Sequence, residues 1–159
     1  MSFKLSFLLI TALLLSCSSS NTDNHIVFKG TDINEIEFNS KEFTGTPMII
    51  NFWYPSCPPC TKEIPTLVEF DKKNKQKIIM VGIVHNSLVD QKKDAIKMLE
   101  KFNVEYTNLY DKDNLLTEEF NVLGFPTTIF LDENHKISTK WTGFLDENTL
   151  KKESSKISK

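Results

Sequence analysis

The chain predicts an α/β fold with a central mixed β-sheet flanked by helices. Three observations carry that reading. Two short apolar runs, Met48 to Trp53 and Lys77 to Val84, have the length and near-unbroken hydrophobicity of strands buried on both faces. Each is followed by a segment with apolar residues at helical spacing, and strands that alternate with helices pair in parallel through those crossovers. A last pair of short β-like runs around a tight turn then adds the antiparallel part of the sheet.

Taken in order, Ile26 to Lys29 and Glu35 to Phe38 read as short strands separated by Gly30, and Gly45-Thr46-Pro47 turns the chain into the central strand 48–53. A helix follows from Pro58 to about Lys73, with Ile64, Leu67 and Val68 on one face. Pro65 interrupts it, deleting one backbone hydrogen bond and bending the axis. The lysines of Lys72-Lys73-Asn74-Lys75 suit the negative end of that helix. The second buried strand is Lys77 to Val84, and a helix from about Gln91 to Phe102 carries Ile96, Leu99 and Phe102 inward. Glu105 to Leu109 reads as a strand and Asn114 to Phe120 as a short helix. Thr127 to Leu131 and Ile137 to Trp141 form strands around Asp132-Glu133-Asn134, and Asp146 caps a final helix.

Chemistry concentrates where the first central strand hands over to its helix, at Cys57-Pro58-Pro59-Cys60. At a helix N-terminus the unpaired N–H groups and the positive end of the dipole favour an anion, so a thiolate at Cys57 is stabilised there. Proline suits the first helical positions because it has no N–H to leave unsatisfied. Two cysteines so spaced close a small disulfide ring, and an exposed low-pKa thiol beside a resolving thiol is what disulfide exchange needs. A structural zinc site would need four ligands, whereas the remaining cysteine is Cys17 and His25, His85 and His135 show no paired spacing, so no metal is expected. Asp111-Lys112-Asp113-Asn114 fails as a calcium loop, with Leu116 in place of its glycine and Val122 in place of its glutamate. It reads as a turn and helix cap. His85 ends a buried strand at its carboxyl side and is expected to face solvent.

The N-terminus sets the compartment. After Lys4 the run Leu5 to Leu15, broken by Ser6 and Thr11, is too short to span a bilayer as a mature helix and fits the core of a signal peptide. Leu14-Leu15-Ser16-Cys17 resembles a bacterial lipobox, so residues 1–16 are expected to be a signal peptide and Cys17 the lipidated residue. Residues 17–25 then form a polar tether, and 26–159 the folded domain. Cleavage there leaves 143 residues, enough for one hydrophobic core, with a formal charge of −3. Lys and Glu are interspersed, which gives no footprint for nucleic acid.

Asn51-Phe52-Trp53, Cys57-Pro58-Pro59-Cys60, Pro65 and Gly124-Phe125-Pro126-Thr127-Thr128 together resemble the thioredoxin superfamily, specifically its exported TlpA/ResA-type, Redoxin-like branch. The resemblance covers most of the chain. It implies a thioredoxin-like three-layer fold, an N-terminal hairpin within residues 28–47, and a βα-type insert from about His85 to Leu109. It also implies that Pro126 is a cis-proline facing the disulfide and that Phe125 offers its backbone to an extended substrate. Glu63 lies three residues past Cys60, one turn along the same helical face, and the resemblance implies that it moves protons at the buried cysteine. The chain departs from the pattern at Tyr54-Pro55-Ser56, because relatives commonly carry tryptophan directly before the first cysteine.

The expected function is therefore that of a membrane-tethered thiol-disulfide oxidoreductase in the bacterial cell envelope, monomeric and without a cofactor. Cys57 attacks and Cys60 resolves, on protein substrates with disulfides or thiols. The reducing direction is expected, and it requires a membrane thiol electron donor, with proteins such as apocytochrome c as clients of the family. Two other classes are open. A copper(I)-delivery protein would use both thiolates with His85 or His135, but copper-chaperone relatives of the fold space their cysteines one residue wider. A thiol peroxidase would require a peroxide-reactive Cys57, and Tyr54-Pro55-Ser56 does not resemble that signature.

Overall fold

A computed structural model describes residues 25–158. The expected signal peptide, Cys17 and the tether up to residue 24 lie outside the described residues.

The chain runs β1 (Lys29–Thr31), β2 (Glu37–Asn39), a 3-10 turn (Ser40–Phe43), β3 (Met48–Trp53), α1 (Pro58–Asn74), β4 (Ile79–His85), α2 (Lys92–Lys101), β5 (Thr107–Asp111), α3 (Leu115–Glu119), β6 (Thr127–Leu131), β7 (Ile137–Thr142) and α4 (Glu147–Ser154). Five strands form one mixed sheet in the order β5-β4-β3-β6-β7. β3, β4 and β5 are parallel, whereas β6 and β7 are antiparallel to their neighbours. β3 sits in the middle with all six residues buried, which its apolar sequence dictates.

Side-chain alternation along β3 feeds two cores. Ile49 and Trp53 pack with Ile64, Leu67 and Val68 of α1, Ala95 and Leu99 of α2, and Leu150 of α4. Met48, Ile50 and Phe52 pack on the other face with Phe28, Phe38, and Leu116 and Phe120 around α3. The result is a three-layer, thioredoxin-like arrangement. Each large side chain so buried contributes roughly 1.5–3 kcal/mol, and the period-two pattern prevents a one-residue slip of the central strand.

The N-terminal hairpin is shifted from its sequence expectation. Gly30 does not separate the strands; it lies within β1, opposite Phe38. The turn falls instead at Asp32, whose Oδ1 accepts from the N–H groups of Asn34 and Ile36 at 2.8 Å each, with Glu35 at φ 66. Asp32 also bridges to Leu109, which fastens the hairpin to the β5 edge. α2 is rotated as well: Ala95 and Leu99 are buried, while Ile96 and Phe102 are half-buried. Phe102, at the end of the helix, still packs against the same core. α1 continues unbroken through Pro65, whose ring is exposed.

Candidate active site

The carboxyl ends of β3, β4 and β5 and the amino end of β6 lie at one pole, so the loops leaving them converge. Cys57 is the N-cap of α1, and its Sγ is bonded to Cys60 Sγ at 1.96 Å. Pro58 and Pro59 carry no N–H, so the Cys60 N–H is the first donor the helix has. It donates to Cys57 Sγ at 3.3 Å, while Thr61 N–H donates to the Cys57 carbonyl at 3.1 Å. The two prolines thereby aim the positive end of the helix at one sulfur.

The expectation of an exposed thiol is corrected. Cys57 keeps 2% of its surface and Cys60 none. Aromatic rings from two loops and the end of β4 meet at this pole: Phe125 meets Tyr54 edge-on at 5.1 Å and His85 at 4.6 Å. Tyr54 and Phe125 pack against the same core cluster that holds Cys57 and Cys60, and Ser56 contributes no ring there. His85 does not face solvent either. It is half-buried against Phe125 and Tyr54 and shares a hydrogen bond with Thr117 Oγ1 at 3.2 Å. Thr117 in turn donates to Asp111, whose carboxylate also accepts the Leu116 and Thr117 N–H groups. Asp111 therefore caps α3 and holds no calcium loop. Burial lowers the His85 pKa, with the Asp111 charge opposing.

The Phe125–Pro126 peptide bond is cis. It precedes β6, whose Thr128 pairs with Asn51 of β3. Asn51 Nδ2 donates to Thr128 Oγ1 at 2.9 Å and to Glu63 Oε1 at 2.8 Å, and the Leu145 N–H donates to Glu63 Oε2 at 2.7 Å. Glu63 is fully buried, one turn beyond Cys60. Burial, the dominant cause, raises its pKa to about 7, against the two donated hydrogen bonds, which lower it. A buried carboxyl that titrates near neutrality, one helical turn from a cysteine, is equipped to take or give a proton. Asn51 and the Leu145 backbone escaped sequence reasoning. A lone asparagine in a strand buried on both faces was the available signal, because such a group must find partners.

Behind the site, Trp53 Nε1 donates to Asn108 Oδ1 at 3.0 Å and Asn108 Nδ2 donates to the Tyr106 carbonyl at 2.9 Å. The bond crosses β4 over Gly82, where a Cβ would lie 1.9 Å from Asn108 Oδ1. Among the described residues, no group of three or more His, Cys, Asp or Glu side chains is placed to hold a metal ion. No helix among them is long and apolar enough to cross a membrane.

A family model described as Redoxin matches residues 21–156. The chain belongs to the Redoxin family. This Redoxin-family chain is 26% identical over 106 residues to the thioredoxin-like protein YneN of Bacillus subtilis, covering 67% of itself and 62% of YneN. It is 25% identical over 131 residues to the thiol-disulfide oxidoreductase ResA of Bacillus thuringiensis, covering 82% and 74%. It thus spans less than two thirds of the YneN relative's length. Its fold matches the structure of a secreted Mycobacterium tuberculosis disulfide oxidoreductase homologous to E. coli DsbE. The TM-score is 0.75, at 24% identity, over 84% of this chain and 98% of that one. That likeness establishes the thioredoxin-like fold of the Redoxin-family chain.

Proposed function

We propose that the protein is a thiol-disulfide oxidoreductase that exchanges its Cys57–Cys60 pair with protein substrates outside the cytoplasm, in the reducing direction. One observation carries the reading: the disulfide closes at the N-terminus of α1, with the first helical N–H on Cys57 Sγ. In the reduced chain the Cys57 thiolate attacks a client disulfide. One client sulfur bonds to Cys57, and the other leaves as a thiolate and takes a proton. Cys60 then loses its proton, Glu63 being the group within one turn that can receive it, and attacks Cys57 Sγ. The second client sulfur leaves, so the client gains two electrons and two protons while Cys57 and Cys60 form their disulfide. The Phe125-Pro126 backbone aligns the extended client segment.

Because an oxidising exterior does not regenerate a dithiol, the cycle needs a thiol donor in the membrane. The names of the relatives support the class: ResA is a thiol-disulfide oxidoreductase, and the mycobacterial protein is a secreted disulfide oxidoreductase. A lipid on Cys17 suits the geometry. His25 contacts the Asn134 carbonyl, and Ile26 N–H donates to the His135 carbonyl at 3.0 Å. The turn that bears them joins the far ends of β6 and β7, so a tether enters at the pole opposite the disulfide.

The test uses two variants. Cys60→Ala should accumulate mixed disulfides with client proteins through Cys57, and Cys57→Ala should accumulate few. Equal trapping by both, or by neither, overturns the assignment of attacker and resolver. A midpoint potential near or below about −270 mV supports a reductase, and one approaching roughly −120 mV supports a disulfide donor.

A further inference from the structure

We propose that Asp90 is a positioning residue for the exchange reaction: it fastens the segment that precedes Cys57 and sets its charge against the Cys57 thiolate, making the pair more reducing. This inference rests on the exchange reading above.

Asp90 lies in the loop between β4 and α2, directly before Gln91, the N-cap of α2. Its Oδ2 accepts three hydrogen bonds, from Ser56 Oγ at 2.7 Å, Ser56 N–H at 3.2 Å and Ser87 Oγ at 2.6 Å. Its own N–H donates back to Ser87 Oγ at 3.0 Å. The start of the loop is braced independently. Asn86 N–H donates to Asn114 Oδ1 at 2.9 Å, Asn86 Nδ2 to the Lys112 carbonyl at 2.7 Å, and Asn114 Nδ2 to the Asn86 carbonyl at 3.2 Å. The carboxylate is therefore held by its own loop, through Ser87, and by Ser56, the neighbour of the attacking cysteine.

Two consequences follow for Cys57. Ser56 is the residue next to it, and both donors of Ser56, the N–H and the hydroxyl, are committed to Asp90. Neither is free to turn toward a thiolate. The Asp90 carboxylate is also bonded to the residue directly before Cys57, and the serine donors keep it ionised by holding its pKa below the usual carboxylate range in spite of burial. Asp94, Lys97 and Lys101 line the same shallow cleft and face Asp90 from α2. The lysines are on the solvent side, where salt screens them, and so only moderate the effect. A negative charge near Cys57 penalises only the thiolate of the reduced pair, because neither sulfur of the disulfide carries charge. The disulfide is favoured relative to the dithiol, and the pair becomes the stronger reductant. The side chain found where relatives commonly carry tryptophan is thus half of an electrostatic latch.

The test equilibrates the full chain, in detergent, with defined glutathione or dithiothreitol buffers and counts alkylated thiols in wild type, Asp90→Asn, Asp90→Glu and Ser87→Ala. Asp90→Asn keeps the shape and removes the charge. Equilibrated at about pH 9, where the Cys57 thiolate is populated, it should shift the equilibrium toward the dithiol about five-fold, which is about 20 mV less negative, and it should raise the alkylation rate of Cys57 below neutral pH by a similar factor while leaving the midpoint there nearly unmoved. Asp90→Glu restores the charge and Ser87→Ala keeps it while loosening the loop, so both should stay within about two-fold of wild type. An unchanged midpoint and alkylation profile in Asp90→Asn overturns the inference and leaves Asp90 a loop brace. A wild-type pair that does not equilibrate with either buffer overturns the exchange reading together with it.

Discussion

Glu63 offers the sharpest test of how the site is built. Its carboxyl is fully buried, accepts from Asn51 and Leu145, and titrates near pH 7 where an unfolded glutamate titrates near 4.5. A folded pKa above the unfolded one means that the native state binds the proton more tightly. The stabilisation is fully present below about pH 4.5 and is lost as pH rises through about 7. At 1.36 kcal/mol per unit, the shift amounts to roughly 3 kcal/mol of stability between mildly acidic and mildly alkaline solution. Glu63→Gln removes the titration and keeps the shape. Its Oε1 can still accept the Leu145 N–H, and its Nε2 can donate to Asn51 Oδ1 if that amide turns over, with Thr128 Oγ1 as the new donor to it. Urea denaturation of the oxidised chain across that pH range is the assay. Wild type should lose about 3 kcal/mol more than Glu63→Gln on going from acid to alkali. Parallel pH profiles for the two proteins would refute the reasoning, because they would mean that Glu63 reaches solvent or keeps its charge at no cost.

Other perturbations test neighbouring links. Asn51→Ala strips Glu63 Oε1 of a donor that lowers its pKa, so denaturation at neutral pH should show a loss of about 1–3 kcal/mol and the Glu63 midpoint should move further up. Gly82→Ala forces Asn108 away from Trp53 Nε1. A cost of about 2–4 kcal/mol is expected in denaturant, with a shift in indole fluorescence. Phe125→Ala removes the ring between Tyr54 and His85, and reduction of the disulfide by dithiothreitol should quicken several-fold, read in stopped flow. An unchanged rate would show that these rings do not shield Cys57.

Much of the frame could be read along the chain because its determinants are local. The bounds Met48–Trp53 and Thr127–Leu131 coincide with β3 and β6, and Pro58 begins α1, as proline at a first helical position should. Strand runs buried on both faces and a proline-marked helix start announce themselves within a few residues. The hairpin was misplaced because an aspartate turn and a positive φ at Glu35 outranked the glycine. The interior of the site was silent for a different reason: its bonds join residues far apart in sequence. Glu63 meets Leu145 across 82 positions, Asn51 meets Thr128 across 77, and Ser56 meets Asp90 across 34. No local pattern encodes which loop will come to rest against which strand end. His85 went wrong in the same way, since the ring that covers it comes from Phe125.

Three influences meet at the Cys57 sulfur, and their balance decides which way the pair runs. The helix end, through the Cys60 N–H, favours the thiolate by about 0.3–1 kcal/mol, rising to about 2 kcal/mol in partly buried sites. Burial acts against it: with 2% of Cys57 exposed, an anion there gives up most of its water, and desolvation can outweigh a helix end. The Asp90 charge adds to that penalty. None of the three acts on the uncharged disulfide, so two of them stabilise the oxidised pair relative to the reduced one. A strong oxidant needs the opposite balance, a reduced form held down by a stable thiolate. Alkylation of the reduced chain by iodoacetamide should therefore climb steeply from about pH 7 to about pH 9, as it does for a thiol that keeps its proton at neutrality. A rate already flat from about pH 5 upward would mean that the helix end wins, that the aromatic cover opens on reduction, and that the protein donates disulfides instead of removing them.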